Sequence, residues 1–125
     1  MDFQIRILVV DDVLTTRLFM KKVLKKIGFT NIVLANDGDH ALIELKRGTF
    51  DLVLCDWNMP NISGLAFLQE MRKIEHLKTT PFLLITGETD KAKVIEALGA
   101  GVNQYIVKPI DVTTLEEKIK KAMKW

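Results

Sequence analysis

Hydrophobic residues along this chain follow two alternating rhythms. Ile5, the run from Ile7 to Val10, the run from Leu52 to Cys55 and the run from Phe82 to Ile85 are short, largely unbroken and rich in branched side chains. Such runs read as strands covered on both faces. Elsewhere apolar positions recur every three or four residues, the spacing of helices that bury one stripe. Strands are predicted at 4–10, 31–35, 51–55, 82–86 and 105–107, with Pro81 opening the fourth and Lys108-Pro109 ending the fifth.

The helices fall between them. Residues 14–27 place Met20, Val23, Leu24 and Ile27 inward before a stop at Gly28, and residues 37–47 bury Ala41, Leu42 and Leu45 before Gly48. Ser63 has the chemistry of an N-cap for a helix carrying Leu65, Leu68 and Met71, fraying near Ile74. A fourth helix, 90–98, is expected to bury Val94, Ile95 and Leu98 and to end at Gly99 and Gly101. Thr113-Thr114-Leu115-Glu116 has capping-box spacing before a last helix that buries Leu115, Ile119 and Ala122. Strands alternating one for one with helices imply a doubly wound α/β fold: five βα units, a parallel sheet, helices on both faces.

At 125 residues the chain fits one domain spanning 1–125, burying roughly 65% of its unfolded surface. Eighteen basic and sixteen acidic residues leave a formal charge of +2, too little to argue for nucleic acid or for membrane attraction. The single Cys55 lies in an apolar run and has no cysteine to pair with, which suits a buried thiol in a reducing cytoplasm. No stretch reaches the roughly 18 apolar residues of a membrane span, and the first residues carry no export signal.

Chemistry gathers at the strand ends: Asp11 and Asp12 after the first, Asp56 after the third, Thr86 after the fourth, Lys108 after the fifth. In an open parallel sheet these ends share one edge, where ligands bind. Two carboxylates about 4 Å apart repel by about 4 kcal/mol at an effective dielectric of 20, so three together take up protons or a cation. A hard ion with few protein oxygens and several waters is Mg²⁺ rather than Ca²⁺, with Mn²⁺ able to substitute. A carboxylate can serve as nucleophile toward phosphorus while a lysine and a hydroxyl hold the transferring oxygens, and Asp56, Lys108 and Thr86 supply those parts. Taken singly, each has a duller reading as a turn cap, a strand-end hydroxyl or a solvated charge. Their joint placement is the signal. The row Arg17, Lys21 and Lys25 reads as a solvated helix face, with a contact for an acidic partner as the alternative. His40 and His76 lack metal-ligand spacing and read as surface residues.

Leu8-Val9-Val10-Asp11-Asp12, Asp56-Trp57-Asn58-Met59-Pro60, Thr86-Gly87 and Lys108-Pro109 resemble the receiver domain of bacterial response regulators over essentially the whole chain. Trp57-Asn58-Met59-Pro60-Asn61, Tyr105 and Thr114-Leu115-Glu116-Glu117-Lys118 are similar to its chemotaxis branch, the CheY-like regulators. The resemblance, and not the periodicity, implies a flavodoxin-like sheet in the order 2-1-3-4-5. It implies that Asp56 accepts a phosphoryl group from a histidine kinase of the CheA type. Mg²⁺ would then be held directly by Asp12, Asp56 and the Asn58 backbone carbonyl, and by Asp11 through water. It further implies that Thr86 and Lys108 grip the phosphoryl oxygens, that Tyr105 turns inward when Thr86 moves, and that the bond before Pro109 is cis.

Asn58 and Glu88 would flank the water that hydrolyses the acyl phosphate, giving a lifetime on the order of a minute, slow beside ordinary turnover. The output face would be the fourth helix, fifth strand and fifth helix, with Lys91, Val94, Tyr105 and Lys118 toward a flagellar switch protein or another target. Val94 has core burial as its alternative. A phosphatase is a further possible partner. The chain would act as a monomeric cytoplasmic switch, neither binding nucleic acid nor entering membranes, and as an enzyme only toward its own phosphorylation and dephosphorylation. Val13, Leu14, Ser63 and Ile110 depart from the usual CheY-like residues, which touches rate and partner and leaves the chemistry intact.

Three rivals stand beside this reading. A flavodoxin-like electron carrier shares the architecture, yet Asp11 and Asp12 would repel the flavin phosphate. An aspartyl phosphatase would want an acid two residues after Asp56, where Asn58 stands. A phosphate sink, a kinase adaptor or the receiver of a longer regulator outside chemotaxis would look the same.

Overall fold

The computed structural model of the chain describes residues 1–87 and 91–125, and of Lys91 the backbone alone. Glu88, the Lys91 side chain and residue 90, where the fourth helix is expected to start, lie outside the described residues. The elements run β1 Arg6–Val10, α1 Leu14–Ile27, β2 Asn31–Ala35, α2 Gly38–Arg47, β3 Leu52–Asp56, α3 Gly64–Arg72, a 3-10 turn Glu75–Leu77, β4 Phe82–Thr86, α4 Lys91–Gly99, β5 Gln104–Val107 and α5 Val112–Met123. All five strands are parallel and ordered β2-β1-β3-β4-β5.

Strand side chains point alternately to the two sheet faces, and two cores follow from that alternation. Leu8, Val10, Val53, Cys55, Phe82 and Leu84 pack under α2, α3 and α4 with Ala41, Leu45, Leu68, Met71 and Ala97. Ile7, Val9, Leu52, Leu54, Leu83, Ile85 and Ile106 pack under α1 and α5 with Met20, Leu24, Leu115 and Ile119. Burial on both faces explains why β3 and β4 read as continuous apolar runs.

Helix ends largely follow the sequence signals. The Asp37 carboxylate accepts from the His40 amide at 2.8 Å, and Ser63 Oγ accepts from the Ala66 amide at 3.1 Å. Gly28 ends α1 at φ 130°, a conformation closed to ordinary side chains, and its amide donates to the Leu24 carbonyl.

Four expectations change. β1 begins at Arg6, because the Gln4 carbonyl instead accepts from the Asn31 side chain at 2.9 Å. Leu42 is only half-buried. The capping box at Thr113 does not form: the Asp111 carboxylate accepts from the Thr114 amide at 2.7 Å and α5 starts at Val112. On α4 the buried residue is Ala97, with Val94 half-buried, while Ile95 and Leu98 are 61% and 50% exposed. The small Ala97 seats the helix, leaving its larger apolar residues outside.

The N-terminal edge of the sheet is tied by Arg72. Its guanidinium donates to the Leu77 and Thr80 carbonyls at 2.9 and 2.6 Å, and to the Gly101 carbonyl and Asn103 Oδ1 at 3.4 and 3.2 Å. Asn103 Oδ1 in turn accepts from the Phe82 amide at 2.8 Å.

Candidate functional site

Parity along the strands decides which side chains meet. Asp11 follows Ile7 and Val9, and Asp56 follows Leu52 and Leu54, so both leave the sheet on the α1/α5 side. Lys108 follows Ile106 in the same sense. Its ammonium nitrogen lies 3.2 Å from Asp56 Oδ1. Thr86 has the opposite parity, shared with Leu84 and Tyr105, and so belongs to the face that carries α4. The predicted switch pair therefore shares one sheet face, while Asp11, Asp56 and Lys108 share the other.

Asp11, Asp12 and Asp56 offer carboxylate oxygens that all lie within 4.8 Å of one another. Asp11 and Asp56 are buried, at 2% and 5% exposure, and Asp12 is exposed. Asp11 Oδ1 accepts from the Val13 amide at 2.8 Å. Its Oδ2 is buried with no hydrogen-bond partner among the described residues. An orphaned carboxylate oxygen beside two further acids is a donor set that fits a hard divalent cation. Burial pushes the carboxyls of Asp11 and Asp56 above their ordinary range; the Val13 amide and the Lys108 ammonium oppose this for Asp11, and Lys108 opposes it for Asp56. Burial, reinforced by the charge of Asp56, also pushes the Cys55 thiol well up, so it sits as a neutral group whose S–H donates to the Asp56 carbonyl at 3.3 Å.

The surroundings of Asp56 are held by backbone. The Trp57 amide donates to the Ile85 carbonyl, the Gly64 amide to the Trp57 carbonyl and the Lys108 amide to the Thr86 carbonyl, each at 2.8 Å. A Cβ at Gly64 would overlap the Asp56 carbonyl oxygen, so only glycine lets α3 start this close to Asp56. The Lys108–Pro109 bond is cis, as expected. Asn58 is exposed on the turn after Asp56. On the opposite flank, Tyr105 is half-buried with the Lys118 ammonium 5.0 Å from its ring centroid.

Three contacts escape the sequence reading. Arg17 is not simply solvated: it is half-buried and donates to the Asp11 carbonyl at 2.7 Å, whereas Lys25 is exposed. Nothing in the helical pattern separates Arg17 from Lys21 and Lys25 except its place in the turn nearest the acids. Gly64 could have been suspected from a glycine standing one residue inside a helix. The Lys93 ammonium, 5.9 Å from the Trp57 ring centroid, had no sequence signal. His40 pairs with Glu44 at 3.4 Å and with Asn36, and His76 is exposed, in keeping with surface roles.

The family model for the response regulator receiver domain matches residues 7–120. Chemotaxis protein CheY-3 of Vibrio cholerae is 48% identical over 116 residues, covering 93% of this chain and 89% of that protein. Chemotaxis protein CheY of Pseudomonas aeruginosa is 46% identical, covering 93% and 94%. The crystal structure of Vibrio cholerae CheY4 superposes with a TM-score of 0.89 at 30% identity, covering 95% of this chain and 98% of that one. With the acids, threonine and lysine at the shared strand edge, these likenesses show that the chain belongs to the response regulator receiver domains of two-component signalling, in their CheY-like branch.

Proposed function

We propose that the chain is a phosphorylation switch, read out in chemotaxis or flagellar motor control, with Asp56 as the phosphoryl acceptor. The observation that carries this reading is the buried Asp56 carboxylate held 3.2 Å from Lys108 beside two further acids. The chemotaxis proteins among its relatives support the pathway. A histidine kinase of the CheA type is the donor and a flagellar switch protein the target, with a phosphatase as a further partner.

An Asp56 oxygen attacks phosphorus, an acyl phosphate P–O bond forms, and the P–N bond to the donor imidazole breaks, its electron pair leaving with the ring nitrogen. Lys108, already at Asp56, follows the new phosphoryl oxygens and balances their charge, while the Thr86 hydroxyl is the second donor to them. Asp12, Asp56 and the Asn58 carbonyl would hold Mg²⁺, with Asp11 through water; when bound it neutralises charge on the transferring group. Asn58, with Glu88, orients the water that later cleaves the acyl phosphate. Removal of Lys108 from Asp56 and recruitment of Thr86 shift the α4 face, where Tyr105 and Lys118 sit with Val94. The chain thus catalyses only its own modification.

Acetyl phosphate with Mg²⁺ is expected to place one phosphoryl group per wild-type chain and none on Asp56→Asn. Label on the mutant equal to that on the wild type would overturn the acceptor assignment. A motor-derived target is expected to be retained by the phosphorylated wild type alone.

A further inference from the structure

Asp11 is tethered at three atoms. Its amide donates to the Ala35 carbonyl at 3.2 Å, closing the β1–β2 ladder; its Oδ1 accepts from the Val13 amide; and its carbonyl accepts from Arg17 Nη1 at 2.7 Å. The first contact is backbone to backbone, and the second joins the carboxylate of Asp11 itself to a backbone amide two residues on. The third is supplied by a side chain six residues on, in the first turns of α1. The carbonyl it holds belongs to the peptide joining Asp11 to Asp12, so its orientation sets the direction in which the exposed Asp12 leaves the chain. The contact is made by one guanidinium nitrogen; it is charge-assisted and, at 2.7 Å, shorter than most neutral hydrogen bonds.

We infer that Arg17 is a positioning residue for the acidic turn: by holding the Asp11–Asp12 peptide it presents both carboxylates to a divalent cation before the cation arrives. The inference rests on the reading of Asp11, Asp12 and Asp56 as a cation site and adds a residue that touches neither the cation nor the phosphoryl group. Partners that orient metal ligands typically change metal affinity about 10–100-fold when removed.

Charge and positioning predict opposite signs here, which makes the idea testable. Arg17 carries a positive charge beside three acids, so its loss through Coulomb effects alone would tighten cation binding. Its loss as a positioning group weakens it. Mg²⁺ titrations by calorimetry, well below the melting temperature of each protein, compare wild type, Arg17→Met, Arg17→Gln and Asp12→Ala. Arg17→Met is expected to raise the Mg²⁺ dissociation constant about 10-fold, at the lower end of the range for such partners. Arg17→Gln, which keeps a shorter neutral donor, is expected to fall between it and wild type, and carries the test by itself should the methionine variant not fold. Affinity equal to or tighter than wild type in both variants, or in the glutamine variant where the methionine variant does not fold, overturns the positioning role while leaving the cation site standing, provided that Asp12→Ala abolishes binding. Unchanged affinity in Asp12→Ala puts the cation elsewhere and overturns both readings.

Discussion

Asp11 and Asp56 work against the stability of the domain they serve. Burial raises their carboxyl pKa values above the ordinary 3.8, so the folded state holds their protons more tightly than the unfolded chain does. Their contribution to stability is therefore fully present below pH 3.8 and lost as pH rises through the folded values. At neutral pH and without divalent cation, Asp11→Asn is expected to melt higher than wild type by about 3–6 °C, roughly what 1 kcal/mol gives in a domain of this size. The difference should shrink toward zero as pH falls to 3.8, where the wild-type carboxyl is neutral too. Excess Mg²⁺ should narrow it from the other side, by stabilising the wild type. Thermal scans across pH, with chelator and with Mg²⁺, measure all three. A wild type that melts above the asparagine variant in chelator at pH 7 would contradict the electrostatic account. Asp11, Asp12, Asp56 and Lys108, which the structure brings together, are legible in sequence because each is a reactive type at a strand end. Arg17 is not, since three basic residues one turn apart look alike until β1 shows which of them reaches its end.

Among the elements, α4 and α5 show how local signals mislead. Thr113 and Glu116 have capping spacing, yet Asp111 stands two residues earlier, and its carboxylate takes the Thr114 amide and hydroxyl at 2.7 and 3.0 Å. These hydrogen bonds hold the Asp111 carboxyl below its ordinary range. Asp111→Ala is accordingly expected to lower the denaturation midpoint more than Thr113→Ala, as urea titration would show; the reverse order would restore the capping box. On α4 the helical spacing reads Val94, Ile95 and Leu98 as the buried stripe, and the sheet instead takes the smaller Ala97. Among the described residues the buried contact of α4 is narrow: Ala97, with Val94 half-buried and Ala100, just past its end, half-buried too. Amides of α4 should therefore exchange with solvent faster than those of α5, which buries Leu115, Ile119 and Ala122. Equal protection in the two helices would contradict this. A loosely seated helix beside Thr86 and Tyr105 is also the element that a change at Asp56 can move at least cost.

For the whole molecule, period-2 alternation in the strands and stripes in the helices prescribe a sheet between two helical layers, and that is the architecture found. Strand order is another matter. Five parallel strands of similar apolar content carry no label saying which lie side by side, so the order came from resemblance. What fixes it physically includes contacts between distant loops, which no local pattern contains. Arg72 is the clearest, since one planar fork joins the loops leading into β4 and β5.

That fork has a consequence for genetics. The strands it anchors at one end carry Thr86 and Lys108 at the other, so damage at residue 72 reaches the proposed phosphorylation site without touching it. A lysine there, with a single nitrogen in place of the fork, could not serve four acceptors in two loops. In a screen scored by signalling output alone, alleles of Arg72 would be grouped with alleles of the acceptor site, and only measuring protein abundance would separate the two classes.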